Sequence, residues 1–456
     1  DIIWNNIRKS GGFMLSLKRF FPGGIHPKEG RNGKRVTALI PISKMEEPDT
    51  VIIPMAQHIG NPSTCLVKKG DEVLKGQLIG EAQGYISANV HASVSGKVLA
   101  VDRCLIANGT YATAVIIAND KEHRWVELSP CNDADELDLE EFVARVKNAG
   151  IVGLGGAAFP THVKLSPKEK IDTLVINAAE CEPYLSADYR LMLEYADTII
   201  DGILLVKNKL QIERVIIGVE DNKPQAIELF REKLKDYENI SVKKLATMYP
   251  QGGEKQLIYA CTRRKVKFGG LPAAIGVLVL NVGTCYAISE AIRTGKPLIS
   301  RIVTVAGSVN TPKNLDVLIG TSVNDVLEAC GGVMDDTEVL ISGGPMMGLP
   351  LSTDEVPIMK GGSGVVALEF SDNDEEESPC ISCGRCNYAC PMKLSPSEID
   401  KNVRIDKGEE NEHLSVMNCI ECGICSWVCP AKRRLTHSCK ISKFLVREEM
   451  KRRGGK

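Results

Sequence analysis

The sequence predicts a multidomain α/β and α+β chain, with a β sandwich, an α/β domain on a mostly parallel sheet, a β-grasp module and a two-cluster ferredoxin-like domain in series. Three observations predict it. The 456 residues allow about three compact domains at roughly 150 residues each. The hydrophobic pattern switches from short alternating strands to alternating strand and helix and then back to strands. Of the sixteen cysteines, half fall into two runs near the C-terminus, which is ligand spacing and not a disulfide framework. A charged fraction of 25% and an apolar fraction of 43% belong to a soluble globular chain. Lys plus Arg number 56 against 58 for Asp plus Glu, a net charge of -2, so no global field draws this chain to nucleic acid. No RNP-like or zinc-finger pattern places aromatics among basic residues, and nucleic-acid recognition is set aside.

Residues Asp1 to Gly12 lack the apolar core of a secretory signal, which predicts a reducing compartment. Met14 opens a more ordinary start, and residues 1–13 read as an extension. Over 14–130, the runs Val67 to Ile79, turning at Gly70-Asp71, and Val90 to Val98 alternate in the β manner. They resemble half of a biotinyl/lipoyl-like barrel sandwich. The tip Tyr85 to His91 has no lysine to modify, so this domain is expected to be a scaffold.

Residues 131–297 read as the α/β domain. Strands are expected at Asp172–Asn177, Arg214–Val219, Val242–Ala246 and Ile275–Asn281, with helices at Leu139–Ala149, Leu185–Lys207 and Pro224–Tyr237. Ligands of such sheets sit beyond the carboxyl ends of the strands, which directs attention to Asn177–Pro183, Tyr249–Glu254 and Asn281–Thr284. The uncharged stretch Phe268–Ser289 is too interrupted by glycine and proline to cross a bilayer and reads as a buried strand with flanking loops. Residues 298–370 return to strand (Ile302–Ala306), helix (Val323–Cys330) and strand (Glu338–Ser342), an order that resembles a soluble-ligand-binding β-grasp (SLBB-like) module. An acidic linker at 371–378 leads to the ferredoxin-like domain at 379–440 and a basic tail at 441–456.

Cys380-x2-Cys383-x2-Cys386-x3-Cys390-Pro391 and Cys419-x2-Cys422-x2-Cys425-x3-Cys429-Pro430 both have the spacing of two-cluster ferredoxins. Three thiolates of one loop wrap a cubane, and the fourth, beyond a turn, reaches the other cluster. Cys380, Cys383, Cys386 and Cys429 are therefore expected to hold one [4Fe-4S] cluster, and Cys419, Cys422, Cys425 and Cys390 the other. Zinc is the competing metal, but it has no use for the doubled motif. The eight scattered cysteines, Cys439 among them, read mostly as small buried hydrophobes; Cys181, between Glu180 and Glu182, is the exception.

Gly153-Leu-Gly155-Gly156-Ala-Ala-Phe159-Pro160-Thr-His-Val-Lys164 is not a Rossmann turn, because a helical pattern precedes it and Pro160 interrupts the segment after it. A different phosphate loop fits better. Glycines let backbone N–H groups approach a phosphate or a flat ring, Lys164 neutralises phosphate charge and Phe159 stacks on a ring.

Gly23-Gly-Ile-His-Pro27, Gly153–Lys164, Asn177–Pro183, Tyr249–Glu254, Asn281–Thr284 and the two cysteine runs together resemble the C subunit of the bacterial Rnf electron-transport complex, from about Met14 to Cys439. Its flavin domain is in turn similar to the NADH-binding flavoprotein subunit of respiratory complex I. The resemblance implies that Gly153, Gly155, Gly156, Lys164, Asn177, Glu180, Tyr249, Gly252, Asn281 and Thr284 surround non-covalent FMN, and that Phe159, Glu182 and Glu254 face NADH, the two glutamates positioning nicotinamide or ribose. Leu154, Ala179 and Gly253 stand where the complex I pattern has Arg, Asp and Glu. NADH gives up two electrons together and each cubane accepts one, so a flavin is needed between them.

The resemblance implies a peripheral subunit on the cytoplasmic side of a bacterial membrane, exchanging electrons between NAD(H) and the other Rnf subunits, a ferredoxin-like one included, in a complex that couples NADH and ferredoxin to ion transport. Two other readings remain open: an electron conduit or assembly module with a degenerate nucleotide site, and the diaphorase subunit of a soluble hydrogenase or formate dehydrogenase. The tail from Lys432 to Lys456 sets ten Lys or Arg against Glu448 and Glu449. Ile441, Phe444, Leu445 and Met450 are expected to form an apolar helical stripe beside that charge, suited to anionic headgroups or a membrane-embedded partner.

Overall fold

A computed structural model describes residues 21–454 except 132, 135 and 370–375; the extension at 1–13, the Met14 start and most of the acidic linker lie outside the described residues. At the N-terminal end, strands Thr50–Pro54, Tyr111–Asn119, Gly96–Leu105 and Glu72–Val73 form one sheet, and Thr64–Cys65, Leu78–Glu81 and Val90–His91 another. Alternate residues, among them Val51, Ile53, Ile79, Val98, Val115 and Ile117, fill the space between them. The tip at Tyr85–His91 does not swing free. Buried Lys360, from the β-grasp region, donates to the carbonyls of Asn89 (2.5 Å) and Gly150 (2.7 Å) and so ties three domains together.

The α/β domain carries strands β1 (Thr173–Ala178), β2 (Arg214–Glu220), β3 (Ile240–Leu245) and β4 (Val277–Asn281), all parallel, in the order β3-β2-β1-β4. Its helices are α1 (Leu139–Asn148), α2 (Thr161–Lys164), α3 (Ala187–Glu194), α4 (Ala196–Lys209), α5 (Pro224–Lys233), α6 (Glu254–Thr262) and α7 (Val282–Thr294). Helices cover both faces, so the strands read as near-continuous apolar runs, β4 being buried throughout. The stretch Phe268–Ser289 thus holds a core strand and the start of α7. One sequence expectation is corrected: Leu185–Lys207 is two helices, broken at Tyr195, whose backbone leaves the helical region and whose ring packs edge-on against Tyr286 at 5.3 Å.

The strand order reverses between β1 and β4, which makes this the switch point where open α/β sheets bind ligands. In register, Asn177 at the end of β1 stands beside Asn281 at the end of β4.

The β-grasp sheet is built on Ser300–Gly307, flanked by Lys313–Leu318 and Gly364–Glu369, and is extended at one edge by Ile42–Lys44 from the N-terminal region. In the ferredoxin-like region, short helices Arg385–Ala389 and Ile424–Trp427 follow the two motif glycines, and α8 (Leu435–Gly454) closes the domain. A tail beginning at 441 is corrected by α8, which runs unbroken through 440 and 441. Of the expected apolar stripe, Ile441 and Leu445 are half-buried and none belongs to the buried face. The buried face of α8 is Leu435, Ser438, Cys439, Ser442, Lys443 and Val446, whereas Phe444 and Met450 point outward. Much of the positive charge is paired: Arg433 with Asp400, Lys443 with Glu421, and Lys451, Arg452 and Arg453 with Glu448 and Glu449.

Candidate functional site

The glycine loop is a tight antiparallel turn. Val152 bridges Pro160, and the Gly153 N–H donates to the Phe159 carbonyl at 2.7 Å. Its tip, Gly155 to Ala157, is exposed. The turn is seated on the switch point, since the Leu154 N–H donates to buried Thr284 Oγ1 at 2.9 Å and a Cβ at Gly155 would lie 3.4 Å from that of Asn281. Asn281 caps α7, its Oδ1 accepting from the Gly283 N–H at 2.8 Å while its Nδ2 donates to Asp188 at 2.6 Å. Asn177 donates to the Gly252 carbonyl at 2.9 Å. Gly153, Gly155, Gly156, Asn177, Gly252, Asn281 and Thr284 therefore meet at one place, beside the positive end of α7. Such a set of glycines and carboxamides at a helix N-terminus fits a flat ring with a phosphate tail.

Two expected partners of that site meet each other. Lys164 pairs with Glu254 at 2.8 Å and also donates to the Val279 carbonyl at 3.3 Å. Phe159 is half-buried in the turn.

The remaining acidic residues are engaged elsewhere. Glu180 accepts from the N–H groups of Asp188 (2.6 Å) and Tyr189 (3.2 Å) at the start of α3. Burial, then the neighbouring Asp188 charge, raises its carboxyl to about 8. Glu182, expected to face NADH, turns its carboxylate to the 344–348 turn of the β-grasp region, accepting from the N–H groups of Met346 (3.2 Å) and Met347 (2.8 Å). Burial lifts its carboxyl to about 7 against those two bonds. The physical reason is reach: the turn supplies N–H groups that no helix or strand satisfies.

Sequence reasoning missed Arg301, Lys223 and Asp188. Arg301 is buried and donates to the carbonyls of Leu154 (3.1 Å) and Gly362 (3.2 Å), bracing the glycine loop from behind. Lys223 is buried against Glu220 and the Ala179 carbonyl. A cation in an otherwise apolar strand, as Arg301 is, was the available signal.

Tyr249 adjoins the glycine site but turns away from it. Its side chain is 1% exposed and its hydroxyl has no protein partner. It packs with Cys422 and Ile424 of the second cysteine motif, and with Cys181, whose Sγ accepts from the Gly252 N–H at 3.2 Å. The Gly23–Ile25 segment is threaded beside it: Ile25 and Tyr249 exchange backbone hydrogen bonds, and the Gly24 N–H donates to the Ala389 carbonyl at 2.9 Å. A Cβ at Gly23 would lie 2.7 Å from the Ala389 and Cys390 carbonyls, so only glycine fits there.

Beyond Tyr249, Cys390, Cys419, Cys422 and Cys425 line one small recess, with Pro391, Leu394, Ile420 and Ile424 as apolar walls. Cys390 of the first motif thus joins three cysteines of the second, and Cys386 packs conversely with Cys425 and Cys429. Four thiols around an apolar recess fit a cubane. The other group is shallower, with Cys380 and Cys383 exposed. Cys439 is buried among Leu394, Ile399, Val416 and Val446, as expected of a small filler, and it also lines the recess.

A switch-point site, two four-cysteine motifs and one buried tyrosine packed between that site and the second motif define a flavin and iron-sulfur electron-transfer protein. Residues 146–290 match the family model for the Nuo51 FMN-binding domain, and residues 373–430 that for the 4Fe-4S dicluster domain. Residues 19–122 match the RnfC barrel sandwich hybrid domain and 302–350 the SLBB domain. The chain belongs to the family of C subunits of ion-translocating ferredoxin:NAD(+) oxidoreductase complexes. The C subunit of the proton-translocating ferredoxin:NAD(+) oxidoreductase complex of Clostridium ljungdahlii is 46% identical over 84% of this chain and 84% of its own length. The Na(+)-translocating counterpart from Acetobacterium woodii is 44% identical over 93% of this chain and 96% of its own. Among solved structures, an NAD+-reducing [NiFe]-hydrogenase in its H2-reduced state overlaps 70% of this chain and 64% of its own at 18% identity and a TM-score of 0.48, too loose a likeness to carry function. Among the described residues, no helix is long and apolar enough to cross a membrane.

Proposed function

We propose that this chain exchanges electrons between NAD(H) and the membrane subunits of an ion-translocating ferredoxin:NAD(+) oxidoreductase complex, docking peripherally on the cytoplasmic side. The reading is carried by the continuity of the glycine site, Cys181, Tyr249 and Cys422 in one packed group. Bound FMN supplies the exchange between a two-electron donor and one-electron acceptors. The chain's own residues do the rest. Gly153 to Gly156 and the start of α7 hold the ring and phosphate, Asn177 and Asn281 fix the ring edge, and Phe159 and Glu254 receive the nicotinamide end. Glu182 acts at one remove, by bracing the 344–348 turn. The recess around Cys422 holds the inner cluster, nearest the flavin. The group around Cys380 and Cys383 holds the outer cluster, which hands electrons to a ferredoxin-like partner across a surface bearing Ile381 and Tyr388, 66% and 87% exposed.

Anaerobic addition of NADH to the purified chain should bleach both flavin and cluster absorbance. Gly155→Val, whose branched side chain would occupy ring space beside Asn281, should lose FMN, keep its iron and show no bleaching. Normal flavin content in that variant would move the flavin site elsewhere.

A further inference from the structure

Four thiolates complete a [4Fe-4S] site, yet five cysteines surround the inner recess. The fifth, Cys439, comes from near the start of α8, is 1% exposed, and lines the recess together with Cys419 and Cys425. Its place is set by its neighbours on the helix. Ser438 donates to Asp400 at 2.6 Å, Ser442 donates to the Gly408 carbonyl at 2.6 Å and accepts from Asn411 at 3.0 Å, and Lys443 donates to the Cys419 carbonyl at 2.8 Å. The helix turns on either side of Cys439 are pinned, so the thiol cannot swing out of the recess.

We propose that Cys439 is a positioning residue of the inner cluster, an S–H donor to its ligand sulfurs that raises that cluster's reduction potential. A thiol carries one donatable proton and thiolates accept. Reduction adds negative charge to the cluster and its sulfurs, so a donor aimed at them favours the reduced form. The ligand sulfurs already have local donors: Leu394 and Glu421 N–H groups each stand 3.4 Å from a sulfur, of Cys390 and Cys419, and Thr436 Oγ1 lies 3.3 Å from that of Cys425. The recess walls are apolar, and such surroundings disfavour added charge. One well-held extra donor therefore carries weight here, and it makes the inner cluster a better acceptor from the flavin.

The inference rests on the two-cluster reading, and the two fail differently. Wild-type chain purified anaerobically with fewer than about eight irons would undo that reading. The test of Cys439 is an EPR-monitored redox titration of the full chain. Cys439→Val fills similar space without a donor. It should keep the wild-type iron content and lower one of the two one-electron waves, by about tenfold in equilibrium constant or about 59 mV, leaving the other in place. Cys439→Ser, which restores a donor, should bring that wave back toward the wild-type position. Loss of half the iron in Cys439→Val would make Cys439 a ligand and overturn the proposal. Two unmoved waves would reduce it to packing. Should the valine variant not accumulate, Cys439→Ala takes its place with the same expected shift and the same two contrary outcomes.

Discussion

The two cysteine motifs share spacing and local backbone but differ in their surroundings. Gly384 and Gly423 follow the second cysteine of each, with φ of 70° and 79°, and Ser382 and Glu421 precede it, with φ of 55° and 58°. Around the first motif, Cys380 and Cys383 are open to solvent and a Cβ on Gly384 would meet only the Tyr388 ring at 3.5 Å. Around the second, Cys422 and Cys425 are buried, and a Cβ on Gly423 would strike the Met346 carbonyl at 2.7 Å. The same loop thus lies in the interior in one copy and at the surface in the other, because the flavin and β-grasp domains press on the second motif and on the Ala389 end of the first, and leave Cys380 and Cys383 open.

The largest expected effect separates the copies directly. Cys422→Ala should lose the inner cluster, retain about four irons, and leave the outer cluster unreduced by NADH. Cys383→Ala should lose the outer cluster and still show NADH-dependent reduction of the inner one. Anaerobic EPR after NADH addition reads both, and equal loss of reduction in the two variants would break the inner–outer assignment.

Next in size is the matched glycine pair. Gly384→Ala and Gly423→Ala each place a side chain at positive φ, costing about 1–2 kcal/mol. Only the second also drives Met346 away, so its thermal midpoint should fall at least twice as far. Equal shifts would mean that the β-grasp turn does not bear on the inner motif.

The pH dependence of that same contact is smaller. With the Glu182 carboxyl held near 7 by burial, the folded chain keeps a proton that the unfolded chain has released. Stability from this group is therefore greatest below about 4.5, falls as pH rises toward 7, and is level above it. At about 1.4 kcal/mol per tenfold change in proton affinity, the fall is a few kcal/mol at most. Glu182→Gln should flatten urea midpoints measured between pH 5 and pH 7. An unchanged slope would assign the pH dependence to other groups.

The smallest effect is expected at the far end of α8. Val446 is its last buried residue, and the pairs beyond it, such as Lys451–Glu448 and Arg453–Glu449, are exposed and worth roughly 0–1 kcal/mol each. Truncation after Arg447 should leave iron content unchanged and stability nearly so. Loss of co-purification with the membrane subunits would then place a docking surface on those turns, and full retention would confine docking to the outer-motif face.

The residues of both centres were legible because their chemistry imposes spacing. A cubane requires cysteines at fixed short intervals, and a parallel sheet requires apolar runs that end in polar loops, so the two cysteine motifs, the four strands and the glycine turn can all be read along the chain. Residue type and local interval do not encode which long-range neighbours a side chain meets. Glu182 and Glu180 sit in a loop that predicts ligand contact, but the nearest unsatisfied N–H groups belong to a turn more than 160 residues later and to the start of α3. Tyr249, Arg301 and Cys439 show the same limit. Each has an unremarkable local context, and each takes its role from burial against a domain distant in sequence. Residue order along the chain was enough to specify the parts: two cluster motifs, a switch-point sheet and a glycine turn. Their arrangement, which motif lies inside and which thiol makes a fifth, was settled only by packing, because burial and hydrogen-bond satisfaction are properties of the folded whole.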